Sequence, residues 1–154
     1  MKKALLILLI SLYILSCKDQ NKGASKDTTA LSNKPKLHTS NTPFVWEGAN
    51  VYFLLTDRFN NGDTLNDINF NRSKETAKLR GFMGGDIKGI TAKIEEGYFT
   101  KLGINAIWFT PVVEQIHGGT NEGTGNTYGY HGYWTKDWTA LDPNFGTIQD
   151  LEKM

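Results

Sequence analysis

Two uninterrupted apolar runs flanking a helical stripe constrain this chain more than any other feature. Asn50-Val51-Tyr52-Phe53-Leu54-Leu55-Thr56 is rich in β formers and is bounded by Gly48 and by Asp57-Arg58. Ile104-Asn105-Ala106-Ile107-Trp108-Phe109-Thr110 is a second such run, closed by Pro111. Runs without alternation predict strands covered on both faces, as in parallel sheets. Between them Ile90, Ile94 and Tyr98 recur at helical spacing, with Ile87 and Leu102 extending the stripe, which predicts one helix over 87–102. Gly103 stands where a C′ glycine is expected. A strand–helix–strand unit with short joints is almost always a right-handed parallel crossover, so the fold class is α/β.

The remaining segments read as loops that follow strands. They are the polar stretch Asn60 to Ser73, the Gly84-Gly85-Asp86 turn, and a long loop from Val112 to Tyr133. After the turn Leu141-Asp142-Pro143-Asn144-Phe145-Gly146, Thr147 and Asp150 resemble a capping box that opens another helix. In (β/α)8 barrels the loops at the carboxyl ends of the strands build the active site, and such barrels need roughly 250 residues. The folded part here is residues 44–154, so a barrel is not expected to close within it.

The first residues carry a different signal. Met1-Lys2-Lys3 is a short basic start, and Ala4 to Leu15 is apolar apart from Ser11 and Tyr13. That run is shorter than the roughly 20 residues of a membrane span and reads as a secretory signal peptide over 1–16. Ser16-Cys17 resembles a bacterial lipobox, which predicts lipidation of Cys17 and a place in the cell envelope, anchored to a membrane. Cys17 is the only cysteine among 154 residues, so no intrachain disulfide is possible. Residues 17–43, dominated by Lys, Asp, Asn, Ser and Thr, predict a flexible tether. With 17 basic and 16 acidic side chains the net charge is +1, which gives no support to a nucleic-acid partner.

Two constellations carry possible chemistry. Asn61, Asp63, Asn66 and Asp67 place four oxygen-bearing side chains within seven residues, and Asp86 and the Gly84 carbonyl could add two more oxygens. Calcium takes six to eight hard oxygens. A turn held by its own Asn and Asp side chains is the competing reading, and composition alone favours it. Tyr128, Tyr130, His131, Tyr133 and Trp134 concentrate flat rings and an imidazole in a loop after a strand, which suits the apolar faces and hydroxyl rims of a glycan. Tyr128, Trp138 and Phe145 are expected to pack in the core, and His117 to be solvated. Asp57-Arg58 is expected to be a structural ion pair, and Asp137 and Asp142 to fix loops or cap.

In order along the chain, Val51-Tyr52-Phe53 through Thr56-Asp57-Arg58-Phe59, Gly84-Gly85-Asp86-Ile87-Lys88-Gly89-Ile90, and Leu102-Gly103-Ile104-Asn105-Ala106-Ile107-Trp108 resemble the opening of glycoside hydrolase family 13, the α-amylase family. Tyr130-His131-Gly132-Tyr133-Trp134 and Leu141-Asp142-Pro143-Asn144-Phe145-Gly146-Thr147 continue the resemblance, which is nearest the cyclodextrin glucanotransferase and extracellular α-amylase branch. The resemblance implies the N-terminal portion of a TIM barrel, about its first three βα units. It implies a structural calcium held by Asn61, Asp63, Asn66, Asp67, Gly84 and Asp86. It also implies that Tyr133 stacks on the glucose at the cleavage point, that His131 bonds a hydroxyl of that sugar, and that Trp134 packs beneath, with Tyr130 beside them. The retaining carboxylates of the family would all fall beyond Met154, so none is assigned here and the chain alone is expected to be inactive. Expected partners are an α-glucan, a membrane, and other surface glycan-uptake proteins. A starch-binding protein without catalysis, and a transglycosylase or pullulan-degrading enzyme, remain open alternatives.

Overall fold

The structure is a computed structural model that describes residues 43–72 and 75–154. The segments expected to be a signal peptide (1–16) and a tether (17–43), Cys17 included, lie outside the described residues except for Pro43.

β1 (Val51–Leu54) and β2 (Ala106–Phe109) pair in parallel, with Val51 opposite Ala106 and Leu54 opposite Phe109. Side chains pin this pair at both ends. Asn50 N–H donates to Asn105 Oδ1 (2.8 Å) and Asn50 Nδ2 to the Gly103 carbonyl (3.0 Å). At the carboxyl ends Thr56 N–H donates to Thr110 Oγ1 (3.1 Å), and Thr56 Oγ1 to the Thr110 carbonyl (3.2 Å). Both strands are shorter than the apolar runs that encode them. Thr56–Phe59 turns into a short helix, α1, because Thr56 is held by Thr110 rather than by a ladder partner.

The expectation of two covered faces is corrected. Leu54 is buried and Tyr52 half-buried, but Val51 (48% exposed), Phe53 (56%) and Trp108 (63%) stand on an open face, where Phe53 meets Trp108 edge-on at 5.6 Å. The covered face packs on α2 (Ile87–Glu95) and α3 (Tyr98–Lys101). These are two helices where the stripe predicted one. Gly97 at φ +70° takes a left-handed conformation that breaks the rod and turns Phe99 inward against Leu54 and Ile90. A second core joins Ile87, Val112 and Phe145, with Phe109 and Met154 reaching both clusters.

The segment read as a long loop is partly sheet. β3 (Val113–Gln115) pairs antiparallel with β6 (Thr135–Leu141) through an irregular register, and β4 (Thr120–Asn121) with β5 (Asn126–Thr127). The described residues thus hold two parallel strands with their helices, not three βα units. α4 (Ile148–Lys153) opens with the expected capping box, Thr147 and Asp150 bonding each other's backbone N–H. Among the described residues no helix is long and apolar enough to cross a membrane.

What ties these pieces together is a buried cation. Arg72, 3% exposed, donates to both Asp142 oxygens (2.8 and 2.7 Å), to Asn144 Oδ1 (2.6 Å), and to the Gln115 and Ile116 carbonyls (3.0 and 3.2 Å). Asp142 also accepts the Gln115 and Asn144 N–H groups (2.9 and 3.0 Å). Removing one member of a buried pair strands the other's charge. Arg72→Leu in the intact protein is expected to cost about 3–5 kcal/mol, read as a lowered urea midpoint.

Candidate functional site

The chain leaving β1 and the chain leaving β2 come together through Arg58. Its guanidinium donates to Asp57 (2.5 Å), to the Gly81 carbonyl (2.9 Å) and to the Leu79 carbonyl (2.8 Å), and lies 4.0 Å from the Tyr130 ring centroid. Asp57 also accepts Met83 N–H (2.9 Å) and, at longer range, Gly84 N–H (3.3 Å). Burial pushes the Asp57 carboxyl up to about 6, against the pull of the Met83 N–H and the Arg58 charge. The pair is structural, as its position after the first strand implied.

The oxygen-rich loop is assembled beside it. Asn61 Nδ2 donates to Asp67 Oδ1 at 2.8 Å. Gly84, at φ +93°, brings its backbone against both; a Cβ there would lie 2.3 Å from Asn61 Nδ2 and 2.5 Å from Asp67 Oδ1. Asn66 gives its amide N–H to Asp86 Oδ2 (3.1 Å), while its Oδ1 is buried with no hydrogen-bond partner. Two of the six expected ligands have other work. Asp63 pairs with Lys88 Nζ (2.5 Å) and accepts Leu65 N–H (3.0 Å). Asp86, fully buried, accepts from Gly62 N (3.0 Å), Gly89 N (2.6 Å), Asp63 N (2.8 Å) and Asn66 Nδ2, so it caps α2 and shapes the loop at once.

Among the described residues no three His, Cys, Asp or Glu side chains converge as a metal-ligating group. Asn61, Asn66, Asp67 and the Gly84 carbonyl nevertheless offer oxygens of the type a hard cation takes, four toward the six to eight that calcium needs. The stranded Asn66 Oδ1 is the acceptor such an ion would satisfy, since buried acceptors are otherwise almost always paired.

The aromatic segment is ordered around His131. Its ring lies 5.9 Å from Tyr133 and nearly parallel (19°), 5.0 Å from Trp134 at 89°, and 5.3 Å from Tyr130. Tyr133 is 59% exposed, while Trp134 and His131 are half-buried. Tyr133 N–H donates to His131 Nδ1 at 3.0 Å, which leaves the neutral imidazole's proton on Nε2. Burial holds the His131 pKa below its ordinary value, against the opposing charge of Glu122. Glu122 itself pairs with Arg80 (2.6 Å).

The α-amylase catalytic-domain family matches residues 53–154. This chain belongs to the α-amylase family. It is 46% identical over 135 residues to the periplasmic α-amylase of Escherichia coli strain K12, a match covering 85% of this chain and 20% of that protein. It is 36% identical over 105 residues to the cyclomaltodextrin glucanotransferase of Klebsiella oxytoca, covering 68% and 15%. The crystal structure of a cyclomaltodextrin glucanotransferase with a three-domain ABC distribution superposes with a TM-score of 0.58 at 38% identity, over 67% of this chain and 21% of that one. The gamma-CGTase of alkalophilic Bacillus clarkii gives 0.59 at 36%, over 67% and 15%. This amylase-family chain therefore carries a partial α/β domain that spans about a fifth or less of each of these proteins.

Several residues that shape this region are not marked out by residue type in the sequence. Gln115, fully buried, accepts Trp134 N–H on Oε1 (2.7 Å) and donates from Nε2 to the Val113 carbonyl (2.7 Å). Asn144 donates from Nδ2 to the Asn66 and Asp67 carbonyls (3.1 and 2.7 Å). Arg72 sat unremarked in a polar loop. Asp142 fixes a loop as expected, and Asp137 does so locally by accepting from Thr139 N and Oγ1 (both 2.7 Å). Tyr128 and Phe145 are buried as expected, but Trp138 is 76% exposed because it lies on the outer face of β6. His117 is not simply solvated: it stacks on Phe70 at 3.6 Å and meets Glu114 Oε1 at 2.7 Å.

His131 gives a direct test. Nitrogen NMR should show the Nε2–H tautomer, with a titration midpoint below the ordinary 6.5. Because the folded value is the lower one, the unfolded chain takes up the proton first as pH falls. This residue's contribution therefore weakens folding below the ordinary value, and His131→Gln should flatten that part of the stability–pH curve. A midpoint at or above 6.5 would contradict the burial described here.

Proposed function

We propose that these residues form the substrate-facing start of an enzyme that acts on α-1,4-linked glucans with retention, by hydrolysis or by glucanotransfer. The observation that carries this reading is the Tyr133–His131–Trp134 arrangement: an exposed ring for a sugar face, an adjacent imidazole N–H for a hydroxyl, and an indole edge-on behind it. The names of the similar proteins, α-amylases and cyclomaltodextrin glucanotransferases, support both outcomes. Retaining chemistry needs two carboxylates about 5–5.5 Å apart. The carboxylates noted above are engaged as capping, loop-fixing or ion-pair groups, and we assign none of them to that pair.

Calcium is proposed as a structural ion at Asn61, Asn66, Asp67 and the Gly84 carbonyl, with Asp63 and Asp86 shaping the loop from their present partners or joining the ion. When bound, it would supply a fixed positive charge that holds the loop together. The chain's own residues do the rest: Asp86 caps α2, and Asp57–Arg58 fixes Tyr130. Envelope placement through a lipidated Cys17 is proposed alongside, supported by the lipobox-like Ser16-Cys17 and by a periplasmic relative.

The deciding experiment is to incubate the full-length protein with soluble starch and follow reducing ends and cyclic products. Release of either supports the enzyme. Binding without turnover would replace it with the starch-binding reading. Tyr133→Ala should weaken maltooligosaccharide binding by roughly 3–10-fold, the range of one aromatic contact. Calcium should raise the thermal midpoint of the wild type, and Asp67→Ala should abolish that rise. An undiminished rise in Asp67→Ala would remove the site. Cys17→Ala should stop incorporation of labelled fatty acid.

A further inference from the structure

Gln115 touches neither the oxygen-rich loop nor the outward face of the aromatic cluster, yet its bonds join the two. Its Oε1 takes the Trp134 N–H at 2.7 Å, and its own N–H goes to Asp142 Oδ2 at 2.9 Å. Asp142 is gripped by Arg72, Arg72 by Asn144 Oδ1, and Asn144 Nδ2 holds the Asn66 and Asp67 carbonyls. Gln115, Asp142, Asn144 and Arg72 are all at most 3% exposed. Direct hydrogen bonds link the four in sequence, in a close-packed interior of the kind that passes strain on.

The near end of this chain is incomplete in a specific way. Asn66, whose carbonyl Asn144 holds, has its side-chain Oδ1 buried and unpartnered, so a ligand there changes the very loop that the network grips. At the far end Gly129 packs against the Gln115–Trp134 contact: a Cβ there would sit 3.1 Å from Gln115 Cβ and 3.3 Å from Trp134 Cβ, so a larger residue would crowd both.

We propose that Gln115 is a positioning residue for the glycan platform, and that through Asp142, Arg72 and Asn144 it makes the pose of residues 131–134 depend on a divalent cation in the 61–67 loop. The proposal rests on the α-glucan and cation reading above. Its content is separate, because both ligands could bind with no communication between them.

The test titrates full-length protein with maltoheptaose, once in excess chelator and once in saturating calcium. Coupling free energies between sites commonly correspond to factors of about 5–150. Calcium should tighten maltoheptaose binding by about 5-fold or more in the wild type. Gln115→Met keeps the volume and loses the amide; it should retain the calcium-induced rise in thermal midpoint while the affinity gain falls below about 2-fold. A purely structural role would lower the midpoint but leave that ratio unchanged, and an unchanged ratio overturns the proposal. A second readout needs no variant. Amide hydrogen exchange at Trp134 in the wild type should slow on adding calcium, and no change in its protection also overturns the coupling. If calcium and maltoheptaose both bind but independently, the coupling fails and the function stands. If maltoheptaose does not bind at all, both fall.

Discussion

The bidentate pair between Arg72 and Asp142 is the constraint on which the described fold rests. A guanidinium removed from water carries a large desolvation penalty that one carboxylate does not offset; it also needs its remaining N–H groups satisfied. Here Asn144 and the Gln115 and Ile116 carbonyls supply them, and the Phe82 and Phe70 rings lie 4.6 and 5.0 Å from the guanidinium carbon. Only Nε is left without a partner. These partners come from β3 and from the turn after β6, which the β3–β6 pairing already joins, so what the pair adds is the polar loop carrying Arg72, which no strand pairing holds. Loops this long would otherwise be expensive to order.

Sequence patterning revealed the parts governed by local rules. Parallel pairing of β1 and β2 follows from two β-rich runs with a helical stripe between them. The capping box at Thr147 and the inward Ile87 and Ile90 follow from equally short-range patterns. The open face of the sheet did not show, because an apolar strand looks the same whether its second face is covered by this chain or left bare. The break at Gly97 was hidden for a related reason: glycine is tolerated inside a helical stripe, and only tertiary packing of Phe99 makes the break favourable.

The site was legible in its composition and illegible in its wiring. Ring-rich and oxygen-rich segments announce themselves by residue type, and family resemblance then selects the members. What residue type cannot announce is which side chain an apparent ligand already serves. Asp86 has the chemistry of a ligand, yet four protein donors occupy its two oxygens. Gln115 has no distinguishing context in the sequence, and Asn144 shows only as a member of the 141–147 turn, since their importance lies in bonds spanning 19 to 78 positions.

The bond from Tyr133 N–H to His131 Nδ1 has a consequence for what a sugar hydroxyl must offer. With Nδ1 occupied as an acceptor, the neutral ring presents only a donor to the outside. Such a group reads the lone pair of an oxygen and ignores the hydrogen attached to it. Under the α-glucan reading, the contact would therefore distinguish an oxygen from its absence, but not a hydroxyl from its methyl ether. Discrimination between those two would have to come from the shape of the surrounding rings.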